Sequence, residues 1–173
     1  MTLKDLKVVF LGQDPYPQKN VGTGILFGNK EGTELSHSLQ IIKEAVINFE
    51  IPHNNITFDP TLESWARQGI LMINSAFTVE EGKIGSHMLI WRPFIIKLLK
   101  NLSLTYTGII YVLFGKEAQS FTQFIGKNNH ILKVNHPAYY ARTNTKMPHQ
   151  LFLDISNIIK NTYDEPIEWY KEN

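Results

Sequence analysis

The sequence predicts an α/β domain with a short central parallel sheet of four strands, flanked by helices on both faces in three layers. Short apolar runs recur along the chain at Val8–Leu11, Ile70–Ile73 and Ile109–Phe114, with a fourth, interrupted by Lys133, at Ile131–Val134. Such runs suit strands buried on both sides. The stretches between them carry apolar residues at helical spacing, so consecutive strands are joined by helical crossovers and run parallel.

In chain order, Val8–Leu11 is the first strand, ended by Gly12, and a glycine-rich loop follows (Gly22, Gly24, Gly28). Leu39, Ile42, Val46 and Phe49 mark one face of the first helix. Asp59-Pro60 reads as an N-cap with proline at the first helical position, and Gly69 as the stop before the second strand. Pro93 opens a helix that turns Phe94, Leu98 and Leu102 inward. The third strand leads into a helix over Glu117–Ile125 ended by Gly126, and the last helix spans His149–Asn161.

A length of 173 residues with 43% apolar content suits a single domain over 1–173. No repeat, low-complexity tract or linker interrupts it. Seventeen basic against 16 acidic residues leave a net charge of +1, so contact with nucleic acid has to come from a local patch. The absence of cysteine excludes disulfides, a cysteine-ligated zinc and an iron–sulfur cluster. His37, His53, His87, His130 and His149 show no metal-ligand spacing, so no metal or other cofactor is expected. Gly22-Thr23-Gly24 lacks the Lys-Ser/Thr signature of a nucleotide-phosphate loop. No signal peptide or long apolar span is present, which fits a cytoplasmic protein with no membrane partner.

The chemistry-bearing motifs fall at strand ends. Gly12-Gln13-Asp14-Pro15-Tyr16 follows the first strand, Asn74-Ser75 the second, Gly115-Lys116 the third and Asn135-His136-Pro137 the fourth. In parallel α/β sheets the carboxyl edge of the strands holds the ligand, so Asp14, Asn74, Gly115 and His136 converge on one edge. Breaking a glycosidic C–N bond calls for a carboxylate near the sugar and a donor at the departing group. Asp14 and His136 are of those types. A turn cap for Asp14 and a loop histidine for His136 are the structural alternatives.

Together with Gly12–Tyr16, the segments Trp65–Ser75, Val112–Gln119 and Leu132–Pro137 resemble the family 1 uracil-DNA glycosylases, in the order that family uses. The resemblance runs from about Leu6 to Trp169. It implies hydrolysis of the N-glycosidic bond of a flipped-out deoxyuridine, giving free uracil and an abasic site without strand cleavage. Asp14 then orients the attacking water and stabilises the sugar cation, and His136 donates to uracil O2. Asn74 offers a donor and an acceptor that match uracil and not cytosine. Phe27 is the stacking platform, Tyr16 excludes the thymine methyl, and Gln13 lends main-chain contacts. For Asn74 the alternative is a strand-end cap, and for Phe27 an inert core residue.

The implied partners are uracil-containing DNA, single- or double-stranded, and a DNA-mimicking inhibitor protein, with the chain acting as a monomer. Around the implied DNA path the sequence departs from the family pattern. Pro17 replaces a histidine beside Pro15 and Tyr16, and the phosphate loop Leu35–Leu39 keeps Ser38 but loses its prolines. Lys116 takes the place of a serine, and Ser75 is a further DNA-facing candidate. After Pro137 comes Ala138-Tyr139-Tyr140-Ala141-Arg142, with Tyr140 at the position of the family's leucine wedge. Tyr139, Tyr140 and Arg142 are therefore expected to meet DNA, together with Pro15, Pro17, Ser38, Lys116 and Pro137, with Tyr140 filling the vacated space. The first strand begins by Lys7, earlier than in the family, which reads as a compact or N-terminally short member. A glycosylase-fold DNA-binding module with weakened catalysis and an enzyme of broader base choice are the rival readings.

Overall fold

The computed structural model describes residues 2–47 and 55–173; Phe49 and His53 lie outside the described residues. In chain order the elements are β1 (Val8–Gly12), α1 (His37–Val46), β2 (Ile56–Thr57), α2 (Glu63–Arg67), β3 (Ile70–Asn74) and α3 (Met88–Thr105). Then come β4 (Ile110–Phe114), α4 (Gly115–Gln119), β5 (His130–Val134), α5 (Pro137–Thr143), α6 (Gln150–Tyr163) and β6 (Lys171–Glu172). The expected four-stranded parallel sheet is present, in the order β3-β1-β4-β5. β2 and β6 form a small antiparallel pair apart from it.

The two central strands, β1 and β4, are buried at every position, which is why they read as unbroken apolar runs. Successive side chains point to opposite faces, so β1 feeds two cores. Val8 and Phe10 pack with α1, α6, Trp65 and Trp169 on one side; Val9 and Leu11 pack with α3 and Phe121 on the other. Each such side chain, fully buried, contributes about 1.5–3 kcal/mol. Trp169 locks the first core: its indole donates to Ser156 Oγ at 2.9 Å, and its carbonyl accepts from Trp65 Nε1 at 2.9 Å.

Four helical segments differ from the sequence expectation. α3 starts at Met88, so Pro93 lies inside it rather than opening it. The missing N–H orphans the carbonyl of Leu89, a residue that is 83% exposed, so water can satisfy it. The inward face of α3 is Ile95, Leu99 and Leu102. Phe94 instead packs on Phe77 and Trp91 near the surface. The helix expected over Glu117–Ile125 breaks after Gln119 and resumes as a 3-10 turn at Thr122–Phe124. Asp59 does cap α2, but from a turn ahead of it, accepting from Thr61 N at 2.9 Å and Ser64 N at 2.8 Å. The α5 turn was expected as a loop; Ala138–Arg142 is helical instead, because His136 caps it and Pro137 supplies its first residue.

Tyr111 in β4 is fully buried on the α3 side, and its hydroxyl has no hydrogen-bond partner. An unmet buried hydroxyl costs free energy that an apolar replacement of the same shape avoids. Tyr111→Phe should therefore raise stability by about 1 kcal/mol, measured by thermal or urea unfolding; a lower midpoint would contradict this account.

Candidate active site

The parallel ladder places Gly12 beside Asn74, and its hydrogen bonding continues past both strand ends. Ser75 N donates to Gly12 O at 3.1 Å, Ala76 N to Gln13 O at 2.9 Å, and Ser75 Oγ to the same Gln13 carbonyl at 2.9 Å. This zip fixes the turn that carries Asp14. One Asp14 carboxylate oxygen, Oδ2, accepts the Gly85 amide at 2.5 Å, which leaves Oδ1 for a reacting group. Gly85 belongs to the β3–α3 connection, which has no motif; its only sequence signal is the pair Gly82 and Gly85 flanking Lys83-Ile84.

Tyr16 is held by its hydroxyl, which donates to Phe27 O at 3.0 Å and sits 2.6 Å from Ser36 Oγ. Burial pushes its phenol up from the usual value, so it stays protonated. Ser36 in turn accepts from Leu39 N as the cap of α1, tying the ring to the helix. Phe27 has a left-handed backbone, φ 65°, a conformation a bulky side chain adopts only under constraint. Its ring is clamped edge-on by Phe114, centroids 5.1 Å apart, and by His136 at 5.5 Å.

His136 follows β5, and its ring is fixed by the helix it caps. Nδ1 accepts the Ala138 amide at 3.1 Å, which places the proton on Nε2. Burial, with the positive charge of Arg142 adding to it, pushes the imidazole pKa down to about 4. His136 is thus a neutral ring with one free donor. Gly115, φ +85°, lets the chain turn under it; a Cβ there would approach the His136 Cβ to 3.1 Å.

Asn74 supplies the polar pattern. Its Oδ1 is buried without a partner, at a cost of about 1–3 kcal/mol that a ligand donor would remove. Gly12 keeps this space open, since a Cβ there would lie 2.9 Å from that oxygen and 2.4 Å from Leu26 Cδ1. The sheet edge therefore gathers a half-engaged carboxylate, an aromatic wall, an unmet acceptor and a neutral donor.

The DNA-facing expectations fare unevenly. Pro15 and Pro17 are half-buried beside Asp14, Lys116 and Arg142 are exposed, and Ser38 is half-buried in the first turn of α1. Three residues face inward instead. Ser75 is 2% exposed and spends its hydroxyl on Gln13, and Pro137 is buried in the first turn of α5. Tyr140 was expected in the gap left by a flipped base, yet it is 7% exposed and belongs to the core shared with α1 and α6. As the fourth residue of a capped helix it points back at the domain; the exposed ring is Tyr139. Among the described residues no group of His, Asp or Glu side chains is placed to hold a metal ion.

Residues 2–160 match the family described as the uracil DNA glycosylase superfamily. The chain belongs to that superfamily. Similar curated proteins are the uracil-DNA glycosylase of Buchnera aphidicola from Acyrthosiphon pisum, 35% identical over 172 residues, spanning 98% of this chain and 77% of that protein. The one from Desulfitobacterium hafniense is 34% identical over 174 residues, spanning 98% and 76%. Among solved structures, mimivirus uracil-DNA glycosylase superposes with a TM-score of 0.83 at 28% identity, covering 98% of this chain and 69% of that one. A variant of that viral enzyme in complex with UGI superposes with a TM-score of 0.81 at 28% identity, covering 95% and 69%. Among the described residues no helix is long and apolar enough to cross a membrane.

The pKa of His136 makes the family site testable by pH. A histidine protonated less readily when folded destabilises the fold as pH falls, because the unfolded chain binds the extra proton. The contribution is constant above the unfolded value of 6.5, and below it the folded state loses on the order of 3 kcal/mol by pH 4. His136→Gln should flatten that part of the stability–pH curve, and an NMR titration of wild type should show the ring neutral through pH 5. A His136 midpoint near 6.5 would contradict this environment.

Proposed function

We propose that the chain is a uracil-DNA glycosylase acting as one domain over 1–173. The observation that carries this reading is the buried, unpaired Asn74 Oδ1 on the same sheet edge as a neutral His136 whose free proton is on Nε2. Uracil presents N3–H beside O4, so Asn74 Oδ1 accepts from the first while its Nδ2 donates to the second. Cytosine presents the reverse pattern and leaves both buried groups unmet, a large discrimination. Phe27 walls the base, and Tyr16, tied at its hydroxyl, stands against C5 and has no room for a methyl.

Chemistry follows from the same placement. As the C1′–N1 bond breaks, its electron pair passes to the base, and His136 Nε2–H donates to O2 where the negative charge gathers. Being neutral, the ring stabilises that charge without first having to be charged itself. Asp14, with Oδ2 held by Gly85, turns Oδ1 to the sugar cation and to the attacking water. The water oxygen bonds C1′, its proton leaves by way of Asp14 to solvent, and the uracil anion takes a proton from solvent. Water as nucleophile forms no imine, which supports a monofunctional enzyme without strand cleavage. These features favour an enzyme over a DNA-binding module that has lost catalysis.

The base is unreachable inside a duplex and is flipped out. On this reading Ser38, Lys116 and Arg142 would meet phosphates around the edge, Pro15 and Pro17 would shape the turn beside the sugar, and Tyr139 would lie on DNA at the start of α5. A groove of about 430 Å³ between Tyr16 and the first turn of α1 gives the backbone a path. An inhibitor protein shaped like DNA would dock on the same edge. The chain is read as a cytoplasmic monomer working on DNA without a cofactor.

Alkaline cleavage of a uracil-containing oligonucleotide after incubation with the purified protein tests the activity. Asp14→Asn should reduce the excision rate by orders of magnitude while binding of DNA persists; activity within a few-fold of wild type would refute the assigned role. Asn74→Asp should slow uracil release and admit cytosine, since a protonated carboxyl offers the complementary pattern. Free cytosine released from an undamaged oligonucleotide is the measurement, and its absence would count against Asn74 as the reader.

A further inference from the structure

The connection between β3 and α3 is fastened to the catalytic turn at two points. Gly82 N donates to Pro17 O at 3.0 Å, and Gly85 N to Asp14 Oδ2. Within the connection, Glu80 and Lys83 pair through backbone and side chains, and Ser86 Oγ accepts Glu80 N at 2.8 Å. Residues 80–86 thus form a rigid strap laid over the Asp14–Pro17 turn. Ile84 stands between the two anchors and is 70% exposed. Leu89 and Ile90, in the first turn of α3, are exposed at 83% and 74%.

We propose that Ile84 is the wedge that enters the base stack of duplex DNA where the uracil nucleotide has left it. The proposal rests on the reading of the site as a uracil-DNA glycosylase. A nucleotide whose C1′ lies against Asp14 has its strand passing the strap, because the residue after Ile84 is itself bonded to that carboxylate. The side chain met there is branched, apolar and held on a backbone pinned at both ends. Apolar side chains of this kind are what DNA-distorting proteins insert between base steps. Tyr140, the other candidate for the gap, is in the core. The salt bridge between Glu80 and Lys83 pairs two of the three charges of the strap and leaves the exposed Glu81 as its net charge, so the strap has no phosphate grip of its own and Ile84 is the group that meets the bases.

The test compares single-turnover excision from a duplex and from a single strand of the same sequence, for the wild type, Ile84→Ala, Ile84→Leu and Leu104→Ala. Leu104 is 73% exposed at the opposite end of α3 and controls for loss of an exposed apolar side chain. Ile84→Ala should lower the duplex rate roughly tenfold, since unstacking costs a few kcal/mol that the wedge offsets, and leave the single-strand rate within about twofold. Ile84→Leu should recover most of the duplex rate, and Leu104→Ala should match wild type. Fluorescence of 2-aminopurine beside the uracil should show weaker flipping in Ile84→Ala. An unchanged duplex-to-single-strand ratio, or an equal loss on both substrates, would overturn the wedge, including the case in which the surface serves a protein partner. Wild type inactive on both substrates would instead overturn the glycosylase reading.

Discussion

The site depends on the β1–β3 ladder not stopping where the strands do. Three hydrogen bonds beyond Gly12 and Asn74, all onto the carbonyls of Gly12 and Gln13, carry strand-like rigidity into the turn that holds Asp14. Asn74 and Asp14 are thereby set relative to one another by backbone geometry, not by contact between their side chains. Ser75 is the fastening: a buried hydroxyl bonded to the Gln13 carbonyl orients the peptide on which the reader and the carboxylate both hang. With both flanking cores packed against β1, that turn has little freedom to relax.

A second constraint acts from the other side of the sheet. His136 is at once the cap of α5 and the donor of the site, and the two roles use different nitrogens. The cap consumes the Nδ1 lone pair, so the proton has one place to be. Burial then keeps the ring neutral, which leaves Nε2–H as a donor without the cost of sequestering a cation. Gly115 allows β4 to turn beneath it, and Phe27 clamps it edge-on. The strained backbone at Phe27 is held by the Tyr16 hydroxyl bond and by packing, so wall, gate and donor are coupled through one set of contacts.

Much of this was legible in the sequence because strand ends in a parallel sheet are where function concentrates, and Asp14, Asn74, Gly115 and His136 all mark such ends. The continuous apolar runs gave the strands and their parallel order. What the sequence could not reveal was direction. Tyr140 and Ser75 sit within motifs, yet α5 periodicity turns one into the core and a carbonyl captures the other. On α3 Leu102 is inward as expected, but Phe94 is not: Pro93 reads as a helix start, whereas an exposed upstream carbonyl lets the helix run through it and Ile95 takes the buried place. Gly85 escaped notice because its contribution is a backbone N–H, which no side-chain pattern encodes.

The chain divides its labour between a fixed interior edge and an adaptable rim. The residues proposed to read the base are anchored to strands, caps or buried rings: Asn74 ends β3, His136 caps α5, and Tyr16 is tied at its hydroxyl. The residues proposed to touch DNA lie on the strap, on α4 and α5 and at the start of α1, where exposure permits substitution without disturbing either core. A net charge of only +1 is compatible with this arrangement. Long-range attraction to the phosphate backbone is weak, so engagement depends on a few local contacts and on whether a base can be drawn into the pocket. A base that leaves Asn74 Oδ1 unmet gains nothing there, and selectivity then comes from the same buried polar group that the empty fold carries at a cost.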